Sequence, residues 1–269
     1  MNIVILGNSM IGHVIHQYFL ENYNYSLKMI DRSEFDIIYC DIGKLFDIFI
    51  NFRTDIVINC TGAIFDSNAE RSIRINSLFP IQLSAACNKF GMKLINIGTV
   101  CYVDKNIYGL TKALGEFLLE SHLTVRTSFI GPQIKDGHGL FDWMFKQDGK
   151  KINGFVSHLW SGVTTIECAK FINFAIINKL CGVINLSTGN KKGEYITKYG
   201  LLCLIKNIFN LDIEIEEYFP ELVDRTFFRT ENYHVPQYLD MITEMKEWII
   251  GHPELYYNRY KIIYGENRL

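Results

Sequence analysis

Asn2–Ile15 reads NIVILGNSMIGHVI, an apolar run that ends in a glycine turn and continues as an amphipathic helix. A strand feeding a helix through such a turn is the opening unit of a nucleotide-binding α/β sheet. Gly7, Ser9 and Gly12 stand at the positions of a GxGxxG turn, with Ser9 in place of the middle glycine. Glycines there let backbone approach a pyrophosphate at the helix N-terminus, so Gly7, Asn8, Ser9, Met10, Ile11 and Gly12 are expected to hold a dinucleotide. Met1 leads into the run with no basic segment, so it reads as a first strand and not a signal peptide.

The same alternation continues downstream. Further strands are expected at SLKMID from Ser26, DIIYCDI from Asp36, DIVINC from Asp55, MKLINIGT from Met92, LTVRTSFI from Leu123 and GVINLST from Gly182. Several are apolar nearly throughout, as in strands buried on both faces of a parallel sheet. Helical patterns lie between, over Met10–Glu21, Asn68–Phe90, Tyr108–Ser121 and Thr164–Lys179. The expected fold is α/β, a Rossmann-like doubly wound parallel sheet with a small C-terminal substrate-binding lobe. Residues 1–132 are expected to form the NAD(P)-binding domain, with strand 182–188 returning to it. Residues 133–269, where the rhythm gives way to helix, turn and loop, would form mainly the substrate lobe.

Composition narrows the function. The chain has 269 residues, 48% of them hydrophobic and 21% charged, with a net charge of -2. That balance fits an ordered globular protein and lacks the basic surface of a nucleic-acid binder. Seven cysteines without CxxC spacing argue against a disulfide framework or structural zinc. The histidines show no metal-ligand clustering, and no apolar run approaches the length of a membrane span. A cytoplasmic protein without nucleic-acid, membrane or metal partners is expected.

Asp31 and Arg32 close the second strand, about 20 residues past the turn, where an acidic residue meets the adenosine ribose. Asp31 favours NAD through the ribose hydroxyls, and Arg32 favours the 2′-phosphate of NADP. These two residues leave the choice open.

Chemistry is suggested by NIYGLTKALGE, from Asn106, where Tyr108 and Lys112 lie four apart on one helical face. Tyr257 and Lys261 repeat the spacing, but in a polar tail without a strand or nucleotide turn nearby. Tyr108 follows the strand MKLINIGT by a short loop, at the carboxyl edge where doubly wound sheets bind ligands. Thr99 closes that strand.

With these residues assembled, the chain resembles the extended short-chain dehydrogenase/reductases, specifically dTDP-4-dehydrorhamnose reductase-like enzymes. The resemblance rests on the glycine turn, CDI at Cys40, NCTGAI at Asn59, RINSLFPIQLSAACNKFG at Arg74, IGTVCYV at Ile97, YGLTKALGE at Tyr108, VRTSFIG at Val125, LWSGVTT at Leu159 and DRTFFRT at Asp224. It implies NAD(P)H-dependent reduction of a 4-keto-6-deoxy nucleotide sugar, UDP- or dTDP-linked. Tyr108 would be the proton donor, Lys112 would lower its pKa and hold the nicotinamide ribose, and Thr99 would orient the carbonyl. Further cofactor contacts would fall at Asp41, Ile42, Thr61, Gly62 and Ala63. Arg126, Trp160 and Arg225 would bind substrate. The reductive direction and Arg32 together favour NADPH, with NAD an alternative. The expected partner is a nucleotide-diphosphate sugar, with homodimerisation left open.

The segment GTVC is similar to that of the bifunctional epimerase/reductases of UDP-rhamnose synthesis. This resemblance implies a second acid/base pair, Cys101 with Lys146, for epimerisation beside the ketone. The residues leave open whether that activity is present. Val100 stands where a 4,6-dehydratase needs an acid, which disfavours that class. Retention of Thr99, Tyr108 and Lys112 disfavours a non-catalytic NADP-sensing subunit.

Overall fold

The computed structural model describes residues 1–64, 68–103, 106–116, 120–135, 137, 139–189, 194–229 and 233–265, with residues 102 and 103 by backbone alone. The chain divides into two units, Met1–Thr127 with Ala169–Leu186, and Ser128–Cys168 with Ser187–Leu269.

The first unit is built on six strands: β1 (Asn2–Leu6), β2 (Ser26–Ile30), β3 (Ile56–Asn59), β4 (Lys93–Ile97), β5 (Leu123–Arg126) and, after four short strands of the second unit, β10 (Gly182–Asn185). Their order is β10-β5-β4-β3-β1-β2 and every pairing is parallel. The connection reverses between β1 and β3, the switch point at which such sheets leave a crevice for ligands. The helices are α1 (Gly12–Asn22), α2 (Ile42–Asn51), α3 (Ala69–Ile73), α4 (Phe79–Lys89) and α5 (Ile107–Leu114), with part of α7 (Thr165–Ile177). Val4, Leu6, Val57 and Leu94 form one buried cluster with Leu45 and Phe49 of α2 and Phe79, Leu83 and Cys87 of α4. Ile3, Ile5, Ile58 and Ile95 alternate with them and are also buried, so both sheet faces are covered.

Two expected strands change. The run from Asp36 is a turn, so the sheet has no strand there. Asp36 accepts the Ile38 N–H at 2.8 Å and the Cys40 N–H closes back on the Asp36 carbonyl at 2.8 Å. These local bonds compete with a sheet ladder. Ile37, Cys40 and Ile42 pack on the core cluster while Tyr39 points out, a turn spacing and not a strand one. The stretch from Leu123 stops at Arg126 and resumes as β6 (Phe129–Ile130), with the division between units falling at Thr127–Ser128.

The expected helix Asn68–Phe90 is one run, α3 to α4, with a π-helical turn at Arg74–Leu78. Pro80 has no N–H to give the Asn76 carbonyl, and the Phe79 N–H bonds instead to Arg74 O, five residues back. The helix expected from Tyr108 ends at Leu114; its residues 117–119 lie outside those described.

The second unit holds α6 (Leu140–Phe145), β7 (Lys151–Phe155), β8 (His158–Trp160), β9 (Val163–Thr164), β11 (Ile196–Thr197), α8 (Lys198–Phe209), β12 (Glu214–Tyr218), β13 (Val223–Arg225), α9 (Tyr238–Gly251) and α10 (Pro253–Tyr256). Its largest sheet has three strands, β11-β8-β13. Phe141, Phe145, Phe209 and Tyr260 form an aromatic core with centroids 4.8–5.6 Å apart, and Asp142 is bonded by Arg259 and Tyr260 beside it. Among the described residues, no helix is long and apolar enough to cross a membrane.

Candidate active site

A parallel sheet delivers the ends of all its strands to one edge, and the residues singled out in the first unit collect there. β1 runs into Gly7, whose φ of +93° suits glycine and whose N–H bonds to Ile30 O at 2.8 Å. A Cβ on Gly12 would lie 1.9 Å from the Gly7 carbonyl oxygen, so only glycine lets α1 start this close to the turn. Ser9 folds its hydroxyl onto Cys60 O at 3.3 Å, which occupies the middle-glycine position without closing the turn. No side chain caps the N-terminus of α1, where the His13 N–H bonds back to the Ser9 carbonyl at 3.2 Å. His13 in the first turn is held neutral, since burial pushes its pKa down to about 4.

After β2, Asp31 accepts from the Ser33 N–H and hydroxyl at 2.8 and 2.5 Å. Arg32 is exposed and bonds through Nε to Asp36 at 2.8 Å. Asp41 caps α2 through the Gly43 N–H, and Ile42 is the first residue of that helix. Asp41 therefore has a structural task beyond any cofactor contact.

After β3, Thr61 donates to Asn59 Oδ1 at 2.7 Å, and Asn59 donates to Asn96 of β4. The loop Thr61–Ala63 is then pinned by Asn76 from the π turn. Asn76 accepts the Ala63 N–H at 2.9 Å and donates to Ala63 O at 3.1 Å and to Thr111 Oγ1 of α5 at 3.0 Å. Asn76 was not singled out from the sequence. The signal was Pro80 four residues later, which marks where the helix must open.

After β4, Thr99 is buried and accepts the Cys101 N–H at 3.2 Å. Asn106 caps α5 through the Gly109 N–H at 2.8 Å, setting the helix that carries Tyr108 and Lys112. The structure brings Thr99, Cys101 and Tyr108 together: the Thr99 side chain favours ionisation of the phenol, and Cys101 is near enough to oppose it. Burial is the largest influence and pushes the Tyr108 pKa up to about 12. The resemblance implied the opposite direction. Lys112 instead bonds through Nζ to Ile97 O at 2.6 Å, with Glu116 and Cys60 as its ionisable neighbours. Burial brings its own pKa down to about 8.

Arg126, at the end of β5, is in a partly buried ion pair with Glu116, through Nε at 2.7 Å and Nη2 at 2.6 Å. Lys146 is exposed at the end of α6 in the second unit, and its carbonyl accepts from Lys150 Nζ at 2.8 Å. Trp160 and Arg225 do come together, as partners in the β8–β13 register. With His158, Lys198 and Leu201 they line a cavity of about 440 Å³ in the second unit. Trp160 is fixed there by a 2.8 Å bond to Ser128 Oγ. His158 and Lys198 were not singled out from the sequence.

No protein-family model and no curated protein sequence matches the chain. Solved structures do match its fold. A dTDP-4-dehydrorhamnose reductase from Clostridium acetobutylicum aligns with TM-score 0.77 at 18% identity, over 93% of this chain and 100% of that one. A dTDP-4-dehydrorhamnose reductase from Bacillus anthracis, in complex with NADP, gives 0.78 at 18% identity, over 91% and 98%. The chain has the dTDP-4-dehydrorhamnose reductase fold. The Bordetella bronchiseptica enzyme WbmG, in complex with NAD and UDP, gives 0.69 at 16% identity, over 97% and 96%. Within this fold the first unit is a Rossmann-like sheet, and the glycine turn, Thr99, Tyr108 and Lys112 stand at its carboxyl edge.

Proposed function

We propose that the chain is an NAD(P)H-dependent reductase of a 4-keto-6-deoxy nucleotide sugar. The observation that carries this reading is the approach of Tyr108 to Thr99 at the sheet edge with Lys112 buried one turn along. The residues present fit a dinucleotide: Gly7 and Gly12 let the turn close on the start of α1, whose N-terminus no side chain caps. A bound NADPH would supply the hydride for the ketone carbon. Reduction makes an alkoxide from the carbonyl oxygen, which then needs a proton. Tyr108, fully protonated at neutral pH, hands over the phenolic proton, and Thr99 both orients the carbonyl and stabilises the phenolate left behind. Lys112 holds the cofactor ribose.

Exposed Arg32 supports NADPH, and the Bacillus anthracis structure with NADP supports the same choice. NAD remains the alternative through Asp31, in line with the NAD complex of WbmG. The cavity with Trp160 and Arg225 is assigned to the nucleotide-sugar, its cationic lining suited to a diphosphate and its indole to a base or sugar. The test is NADPH oxidation with a panel of UDP- and dTDP-4-keto-6-deoxy sugars, with products identified by mass and NMR. Oxidation with at least one is expected; none with any would overturn the proposal.

One observation favours a second activity. Cys101 stands beside Tyr108, where a thiol could exchange the proton next to the ketone, and the resemblance implies Lys146 as the second group. Wild-type protein in D₂O, without reduced cofactor, should then incorporate deuterium there. Cys101→Ala and Lys146→Ala should suppress it, and no exchange by wild type would leave a plain reductase.

A further inference from the structure

We infer that Glu116 is a positioning residue that keeps the Lys112 ammonium charged inside the first unit, with Arg126 as its anchor. The inference rests on the reading of Lys112 as part of the reductase site. Glu116 follows Lys112 by four residues and its side chain is only 5% exposed. A carboxylate so enclosed is costly unless it is paired. Arg126 supplies the pairing with two charge-assisted bonds to one oxygen, Oε2. The other oxygen, Oε1, is turned toward the end of β4, where a Cβ on Gly98 would come within 2.9 Å of it. Ile97, whose carbonyl holds Lys112 Nζ, precedes Gly98, and Thr99 follows it. Glu116 thus touches the strand end that carries both the lysine's hydrogen-bond partner and the hydroxyl of the site.

The charge balance around Lys112 gives this contact a function. Burial favours the neutral amine, and Glu116 is the strongest opposing influence. Cys60 at the end of β3 is the other, but burial pushes its thiol up to about 12, so it is uncharged near neutrality. Tyr108 on the same helix is also uncharged there, as is His13 in α1. Arg126 from β5 is cationic, and its charge is offset by the Glu116 carboxylate. Among the described residues, Glu116 is therefore the anion that holds the Lys112 pKa as high as about 8. A nearby opposite charge shifts a pKa by roughly 1–3 units. Without it, Lys112 would lose its proton in the neutral range, and with it the cationic hold on a cofactor.

The experiment follows the Lys112 side chain by NMR of protein labelled with [¹³Cε]-lysine, the resonance being assigned by its loss in Lys112→Met. Wild type should titrate near pH 8. Glu116→Gln, which keeps the shape and removes the charge, should lower that midpoint by about one unit or more. Glu116→Asp, which retains a carboxylate, should restore most of it and serves also if the glutamine variant does not fold. A midpoint unmoved in Glu116→Gln, or equally lowered in both variants, would overturn the inference. No substrate is needed, so a chain that reduced no keto sugar could still show the shift. An active reductase with an unmoved Lys112 would refute the inference alone. With an active reductase, the alkaline limb of kcat/KM should move to lower pH in Glu116→Gln by the same interval.

Discussion

Removing the Asn76 amide should loosen the loop beside the expected cofactor site before it disturbs the sheet. Asn76 is 1% exposed and makes three bonds from one side chain, two to the backbone of Ala63 and one to Thr111 Oγ1. Asn76→Ala leaves the Ala63 N–H and carbonyl without that partner. At about 1 kcal/mol net for each of the two bonds to Ala63, the loop should lose roughly 2 kcal/mol of local stability. A tenfold change corresponds to about 1.4 kcal/mol, so amide exchange at Ala63 should accelerate ~30-fold. Hydrogen–deuterium exchange on the peptide spanning Thr61–Ala63 reads this directly, with peptides from β1 as the internal reference. Asn76→Asp should be at least as costly, because a buried carboxylate would face the Ala63 carbonyl. NADPH affinity should fall in both variants, since the loop is an expected cofactor contact. Exchange at Ala63 within twofold of wild type in Asn76→Ala would refute the reasoning.

Other substitutions test separate parts of the site. Gly12→Ala places a Cβ 1.9 Å from a backbone oxygen, so α1 must retreat, at a cost of roughly 1–3 kcal/mol. NADPH affinity should drop about tenfold or more, whereas Gly251→Ala at the end of α9, with nothing within 4 Å, should leave it unchanged. His13 has a folded pKa of about 4 against 6.5 unfolded, so the native state binds fewer protons between those values. Stability from this group is complete above about pH 6.5 and is lost as pH falls toward 4, by roughly 3 kcal/mol in all. In His13→Asn, urea midpoints should show a correspondingly flatter acid dependence; an identical slope would remove His13 as its source. Arg32→Ala should weaken NADPH about tenfold while sparing NADH, because only NADPH carries the 2′-phosphate. Equal losses in titrations of the two would mean that Arg32 does not read that phosphate.

The sheet was legible because parallel strands buried on both faces appear as uninterrupted apolar runs. NIVIL, DIVINC and MKLINIGT each fall where a strand lies. The same reasoning failed at Asp36, where an equally apolar run is folded by its aspartate into a turn. Reading DIIYCDI as a strand also hid α2, whose first residue, Ile42, closes that run. In the second unit the strands are two to five residues long, too short for an alternation to stand out. The turn, Thr99, Tyr108 and Lys112 were visible because strand ends and helix starts announce themselves by glycine, hydroxyl and capping residues. Asn76, Glu116, His158 and Lys198 were not. Buried amides and carboxylates inside otherwise apolar helices carry no local pattern, and what they do is set by the strand or loop packed against them. Arg126 shows the same limit: its sequence position fits a phosphate ligand, and its partner in the fold is Glu116.

The central claim is that the Tyr108 phenol is the proton donor of a hydride-transfer reaction. It is tested most directly by the single-turnover rate of NADPH oxidation in Tyr108→Phe, with the keto sugar identified from the substrate panel and both ligands saturating. The variant keeps the ring and loses only the hydroxyl that faces Thr99. The rate should fall ~10²–10⁴-fold while NADPH affinity stays within a few-fold of wild type. A rate within threefold of wild type, with cofactor and substrate bound normally, would contradict the account.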